Sequence, residues 1–139
     1  LHPHLIMVSL GTNDANDASV TDSVFLYYVD KLISNLKSKN SKARFILLTP
    51  PDSYYRKMYP NARIESLKKV LYSYAEAKNI ALWDLHKAMG GAGAVKNWQS
   101  LNVAATDLIH YSKSGYELQG QLFYQAFIKH YNEYVSNKY

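Results

Sequence analysis

The stretch that decides the fold is residues 5–14, LIMVSLGTND. It begins with a continuous apolar run over residues 5–8, and Gly11 ends it. Such a run predicts a strand buried on both faces, as in a parallel sheet. Glycine allows the backbone to turn sharply at the strand end, so that Asn13 and Asp14 follow directly after the turn.

The first helix is predicted immediately downstream of this turn. Thr21 and Asp22 supply capping chemistry. Apolar side chains then recur every three or four residues, which is typical of one helix face: Phe25, Tyr28, Leu32 and Leu36. Asn40 and Ser41 end this helix.

A second strand and a second helix follow in the same order. Residues 45–48 are again continuously apolar, and the prolines at 50 and 51 stop the strand. We expect a loop over residues 50–61. The second helix follows with Asn61 as its cap and Asn79 at its end, and one face is apolar: Ile64, Leu67, Leu71 and Tyr74.

The chain closes with a third strand and a third long helix. Residues 80–83 form the strand, and a short helical piece leads into the glycine-rich residues 90–93. The last helix begins near Ser112. Gly120 lies inside it, and because glycine weakens a helix by about 1 kcal/mol we expect close backbone packing there.

Alternating strands and helices predict an α/β fold, a parallel sheet with right-handed crossovers and flanking helices. Three strands are few, since doubly wound sheets usually have about five. The simplest explanation is that residues 1–139 are the C-terminal part of a larger α/β unit. The first strand then lacks a neighbour, and we expect a partner segment or self-association through its edge.

Composition excludes several classes of protein. The chain has 139 residues, of which 47% are hydrophobic and 19% charged, so disorder is not expected. No apolar run is long enough to span a bilayer. There is no cysteine, and no pair of histidines has three to five residues between them, the spacing typical of zinc. The net charge of +5 is dispersed, so we expect no nucleic-acid partner. The 13 tyrosines suit either a core or a sugar-binding cleft.

Two polar groups stand where ligands bind in such sheets, at the carboxyl ends of the strands. Asn13 offers an amide donor of the kind that stabilises an oxyanion, or else it only builds a turn. Asp107 and His110 are spaced so that the carboxylate can orient the imidazole for proton transfer, or else they form a turn before the last helix. His86 and His130 have no comparable partner nearby in the sequence.

A resemblance joins these features. Residues 5–14, and the DLIH run at 107–110 with Gly115-Tyr116 after it, look like the third and fifth motif blocks of the SGNH (GDSL-like) hydrolases. TPPDS at 49–53, Met89-Gly90-Gly91 and Trp98 resemble the peptidoglycan and polysaccharide O-acetylesterases. The resemblance implies a three-layer, flavodoxin-like fold, of which residues 1–139 are the C-terminal part.

The resemblance also implies residue roles. Asn13 is expected to donate to the oxyanion, His110 to act as general base and Asp107 to orient His110. Asp14 is expected to make a structural hydrogen bond. The implied partner is an acetylated glycan or another small ester, with no cofactor and no metal.

One part of the family pattern is missing. No Gly-Asp-Ser triplet occurs in the chain. Ser53 follows the wrong strand, and Ser9 lies in the first strand, so neither is a good nucleophile. The serine and an oxyanion glycine are therefore expected upstream, and the isolated chain is expected to be inactive. Export to the periplasm or the exterior is implied by the resemblance alone.

Three functions remain open at this point. The first is a serine esterase removing O-acetyl groups from a polysaccharide. The second is a lipase-like enzyme, thioester hydrolase or acyltransferase of the same fold, and the third is a non-catalytic carbohydrate-binding module. Tyr54, Tyr55 and Arg56 are candidates for substrate contact. Trp98 is either core or substrate wall, and Met89 is expected to serve packing.

Overall fold

The computed structural model describes residues 2–138. Eleven strands and helices follow one another along the described chain, and three of the helices are long. In chain order they are β1 (Leu5–Ser9), α1 (Thr12–Asn16), α2 (Asp22–Lys39), β2 (Arg44–Leu48), β3 (Tyr54–Tyr55), β4 (Tyr59–Pro60), α3 (Ala62–Lys78), β5 (Ala81–Trp83), α4 (Leu85–Ala88), α5 (Ala94–Ser100) and α6 (Lys113–Ser136).

The main sheet is parallel, with the strand order β1-β2-β5. Val8 pairs with Leu47, which in turn pairs with Leu82. These side chains point to one face, where α2 and α3 cover them. Trp83 points to the opposite face and meets Phe123 of α6. The predicted α/β fold with a parallel sheet between helices is therefore confirmed.

Caps begin the long helices where the sequence predicts. The Thr21 hydroxyl accepts from the Val24 N–H, and the Asn61 side chain accepts from the Arg63 N–H. Ser112 accepts from the Gly115 N–H. Each cap satisfies one of the N–H groups that a helix start leaves without a partner. Asn79 ends α3 in the left-handed conformation, as expected.

The buried face of α2 differs from the predicted one. Phe25, Val29 and Ile33 are buried, whereas Tyr28 and Leu32 are exposed. A strict spacing of four residues joins the buried set, and of the expected face only Phe25 is fully buried, while Leu36 is half-buried against the core. The periodicity located the helix correctly and gave its rotation wrongly, because apolar residues occupy two adjacent stripes.

The edge strand β1 is not buried on both faces. It pairs with β2 on one side only among the described residues, and Leu5 and Met7 are 39% and 47% exposed. Ser9 is also exposed, contrary to the expectation for a buried strand. Since the residues of a strand alternate between its faces, the exposed set is the face turned away from α2 and α3.

Glycine packing in α6 also differs from the prediction. Nothing lies within 4 Å of the position that a Cβ would take at Gly120. At Gly115 a Cβ would lie 1.8 Å from the Val103 carbonyl oxygen. The close approach therefore occurs at the start of the helix, and the expectation for Gly120 is wrong.

Two regions contain short elements that the sequence analysis did not predict. The 50–61 segment holds the hairpin β3–β4, and α1 follows Gly11 directly. A second apolar cluster lies under α4 and α5, with Leu85, Val95 and Trp98 at its centre. Within residues 2–138, no helix is long and apolar enough to cross a membrane.

Candidate active site

Gly11 makes the turn that places Asn13. Its φ of 110° is left-handed, and a Cβ there would lie 3.3 Å from the Pro50 side chain. The chain then enters α1, which is held by a hydrogen bond of 3.0 Å from the Asn61 side-chain amide to the Ala15 carbonyl. Asn13 lies in the first turn of α1 and is exposed.

The side chains of Asn13 and Asp14 make no hydrogen bonds within residues 2–138. The exposed Asn13 amide therefore has no hydrogen-bond partner among these residues. The structural hydrogen bond expected from Asp14 is not found, since only its backbone carbonyl accepts, from the Asp17 N–H.

Asp107 and His110 form a compact local motif. One Asp107 oxygen accepts from the Ile109 and His110 N–H groups, each at 2.9 Å. The other lies 2.8 Å from Nδ1 of His110. Leu108 takes a left-handed φ of 59°, which brings the chain back over the carboxylate.

The electrostatics of this motif favour an ionised carboxylate. Hydrogen bonds from the His110 N–H, the His110 imidazole and the Ile109 N–H lower the pKa of Asp107 to about 2, against the opposing effect of partial burial. A carboxylate that accepts at Nδ1 leaves Nε2 as the basic nitrogen of neutral imidazole. The His110 side chain is 66% exposed, so Nε2 is accessible from solvent.

The loop after β2 connects the two candidate groups. Its Pro50 packs at Gly11, two residues before Asn13. Farther along, the Tyr54 N–H donates to the Leu108 carbonyl at 2.9 Å, within the Asp107–His110 motif. Asn13 and Asp107–His110 therefore flank the same loop at the carboxyl edge of the sheet. That their side chains converge on one pocket stays a prediction.

Other residues that the sequence singled out are mostly core. Trp98 is buried and its indole N–H donates to the Met89 carbonyl at 3.1 Å, so both side chains serve packing. Tyr54 is buried too. Ser53 is fully buried, which leaves no room for a substrate at its hydroxyl.

A cavity of about 660 Å³ lies beside the hairpin β3–β4. Its lining includes Ala15 of α1, the tyrosines at 55 and 59, and the ion pair of Asp22 with Arg63. The two tyrosine rings lie 5.9 Å apart. The cavity thus offers aromatic faces and charged groups close to the segment that carries Asn13.

The histidine that sequence reasoning missed is His86. It is 1% exposed, and its Nε2 lies 3.4 Å from Asp52. Its Nδ1 lies 3.2 Å from the Lys68 ammonium and 3.3 Å from Glu65. These partners come from distant parts of the chain, so that local spacing carried no signal. The partners of His86 were therefore missed by sequence reasoning, which considered only partners nearby in the chain.

His130 also has a partner, Glu133, 3.2 Å away on the exposed side of α6. The spacing of three residues could have indicated this pair. Within residues 2–138, no group of three or more His, Cys, Asp or Glu is arranged to hold a metal ion.

The fold and this edge can be compared with known proteins. A peptidoglycan O-acetylesterase structure has a TM-score of 0.81 at 20% identity, over 91% of this chain and 37% of that chain. A lipase/acylhydrolase from Enterococcus faecalis has a TM-score of 0.68 at 31% identity, over 89% and 60%. A catalytic mutant of an acetylxylan esterase from Geobacillus stearothermophilus has a TM-score of 0.65 at 18% identity, over 88% and 58%.

The α/β fold, with its parallel sheet flanked by helices, is that of the SGNH hydrolases. The model of the GDSL-like lipase/acylhydrolase family matches residues 1–118, and the chain belongs to this hydrolase family. The sequence matches no curated protein. The chain spans between 37% and 60% of the length of the three structures named above.

Proposed function

We propose that this chain carries the acid–base pair, and one oxyanion donor, of a serine ester hydrolase. The observation that carries the proposal is the Asp107–His110 pair, with 2.8 Å between Oδ2 and Nδ1 and an exposed imidazole. Family membership supplies the reaction class. The serine lies, on this proposal, upstream in the same domain, of which residues 1–139 are the C-terminal part.

His110 moves the proton in both halves of this reaction. Its Nε2 takes the proton of the serine hydroxyl while the serine oxygen attacks the ester carbonyl. Nε2 then returns the proton to the leaving alcohol, and an acyl-serine remains. A water attacks the acyl group by the same route and releases the acid. Asp107 holds the tautomer and stabilises the imidazolium.

Asn13 acts on the charge that develops at the carbonyl oxygen. Its side-chain amide follows the Gly11 turn and makes no other hydrogen bond in residues 2–138. An amide held on a short helix needs little reorganisation to donate to an oxyanion. A glycine N–H upstream is the second donor in this proposal.

The substrate proposed is an O-acetylated polysaccharide. Two structural neighbours are a peptidoglycan O-acetylesterase and an acetylxylan esterase. The cavity with the tyrosines at 55 and 59 has the aromatic faces that stack on sugar rings. Because cell-wall and plant polymers lie outside the cytoplasm, we place the protein in the periplasm or outside the cell.

A second candidate is acyl transfer or hydrolysis on a lipid-like ester. The Enterococcus faecalis lipase/acylhydrolase, at 31% identity, favours it. The pocket beside the serine decides between the two substrates. Rates on an acetylated glycan and on a long-chain aryl ester distinguish them directly.

The test uses the longer natural protein and measures acetate release from an acetylated xylan and from an aryl acetate. His110→Ala is expected to lower kcat by orders of magnitude, since the serine loses its base. Asn13→Ala is expected to lower kcat by about 10²–10³, the usual loss on removing one oxyanion donor.

The matched control is His130→Ala. His130 pairs with Glu133 at the same spacing of three residues and is also exposed, but it lies on α6. Its replacement is expected to leave kcat unchanged. Wild-type rates in both His110→Ala and Asn13→Ala would overturn the mechanism.

A further inference from the structure

We infer that Asp52 is a positioning residue for His110, held in place by the buried His86. This inference rests on the function proposed for His110. Asp52 and His86 are each 1% exposed. They lie in the loop after β2 and in α4, and neither belongs to the Asp107–His110 motif.

Asp52 joins three segments at once. Its Oδ2 accepts from the Val95 N–H at the start of α5, at 2.8 Å, and its Oδ1 lies 3.4 Å from Nε2 of His86. Its backbone carbonyl accepts from the Tyr111 hydroxyl at 2.5 Å. Tyr111 is the residue after His110, so that this last bond fixes one end of the motif.

The Tyr111 hydroxyl is held in its protonated form, which is the form that donates a hydrogen bond. Burial, with the nearby charge of Asp52, raises the pKa of Tyr111 far above its ordinary value. The phenol therefore keeps its proton well above neutral pH. Its ring packs edge-to-face on Trp98, with 5.7 Å between centroids.

His86 can hold Asp52 because its two nitrogens face different groups. Nε2 lies 3.4 Å from the Asp52 carboxylate, and Nδ1 lies 3.2 Å from the Lys68 ammonium and 3.3 Å from the Glu65 carboxylate. Lys68 is itself paired with Asp84 at 3.2 Å and with Glu65 at 3.3 Å. The backbone N–H of His86 donates to the Thr49 hydroxyl at 3.1 Å.

These contacts form a continuous connection from α3 through His86 and Asp52 to Tyr111. A buried carboxylate needs such partners, because an isolated one is strongly destabilising. Removing the Asp52 carboxylate allows the backbone carbonyl of Asp52 to move, so that the Tyr111 hydroxyl loses its fixed acceptor. His110 then samples rotamers in which Nδ1 no longer faces Asp107.

The experiment measures the imidazole nitrogens of His110 by long-range ¹H–¹⁵N NMR on this chain at pH 8, where an ordinary imidazole is neutral. The wild-type protein is expected to show one tautomer, with the proton on Nδ1. Asp52→Ala and Tyr111→Phe are each expected to raise the Nε2–H fraction several-fold. Asp52→Asn, which keeps an acceptor for Val95, is expected to show a smaller change.

Tyr74→Phe is the matched control. Tyr74 of α3 is buried to the same degree as Tyr111. Its hydroxyl donates to Asp30 of α2 at 3.1 Å. This variant is expected to keep the wild-type tautomer of His110. If Asp52→Ala does not fold, Tyr111→Phe, which removes one oxygen only, carries the test.

Unchanged His110 tautomers in Tyr111→Phe overturn the inference, and so does an equal change in Tyr74→Phe. In the longer protein, Tyr111→Phe is expected to lower kcat and leave KM unchanged, because the base is misplaced and the substrate site is not. The NMR result does not need catalysis. Failure of the proposed esterase function is therefore distinguishable from failure of this inference.

Discussion

At the scale of single residues, the candidate site separates into a local part and a long-range part. Asp107 and His110 are three residues apart, and backbone hydrogen bonds within that turn bring their side chains together. Such a pair can be predicted from spacing alone. Asp52 and His86 meet only because α4 packs against the loop after β2, and no spacing in the sequence indicates that contact.

The ionisation of Asp107 predicts a pH dependence of stability. Its pKa is about 2 in the folded protein and 3.8 as the ordinary value. The folded state therefore binds fewer protons than the unfolded chain between these values, and the contribution of Asp107 to stability falls as the pH falls from about 4 to about 2.

The measurement is the free energy of unfolding of the wild-type protein and of Asp107→Asn across this pH range, by urea denaturation. The advantage of the wild-type protein is expected to shrink as the pH falls. An advantage that stays constant from pH 4 to pH 2 would contradict the assignment of the low pKa to Asp107.

At the scale of elements, α6 shows how a helix can be located correctly and its packing misjudged. Ser112 caps it as predicted, because capping depends on one side chain and one turn. The glycine that permits close packing is Gly115, since Val103 of a separate loop crosses there. Helix propensity does not distinguish Gly115 from Gly120.

Two alanine substitutions test this difference within one helix. Gly115→Ala is expected to destabilise the protein by about 1–3 kcal/mol, because its Cβ clashes with the Val103 carbonyl. Gly120→Ala is expected to stabilise it by about 0.5–1 kcal/mol, since alanine favours a helix and the space is open. Urea unfolding of both variants is the measurement, and equal effects would contradict the packing described here.

At the scale of the whole molecule, the exposed side of β1 is the main feature without a partner among the described residues. Leu5 and Met7 lie on the exposed face of β1. Among the described residues, no strand pairs with the outer edge of β1. Unpaired backbone groups beside apolar side chains favour pairing with another strand. We expect the isolated chain to associate through β1, or to bind an upstream segment of the same protein.

A charge placed on this strand tests the association. Met7→Lys is expected to shift the chain toward monomer in sedimentation velocity experiments, because an edge lysine opposes strand pairing. Met58→Lys is the same substitution at an exposed residue in the turn between β3 and β4, and it is expected to have no effect. A wild-type chain that is monomeric at every concentration would show that β1 does not self-associate.

The sequence by itself determined the order of the three sheet strands and the three long helices, the caps, the parallel sheet and the hydrolase family. The elements and caps depend on periodicity or on groups a few residues apart, and the family was identified from the resemblance of two motif blocks. Only the tertiary structure decided which face of α2 is buried, where α6 approaches a neighbouring loop, and that His86 meets Asp52. These contacts join segments far apart in the chain, and the side chains that meet there are chosen by packing, which leaves no periodic signal in the sequence.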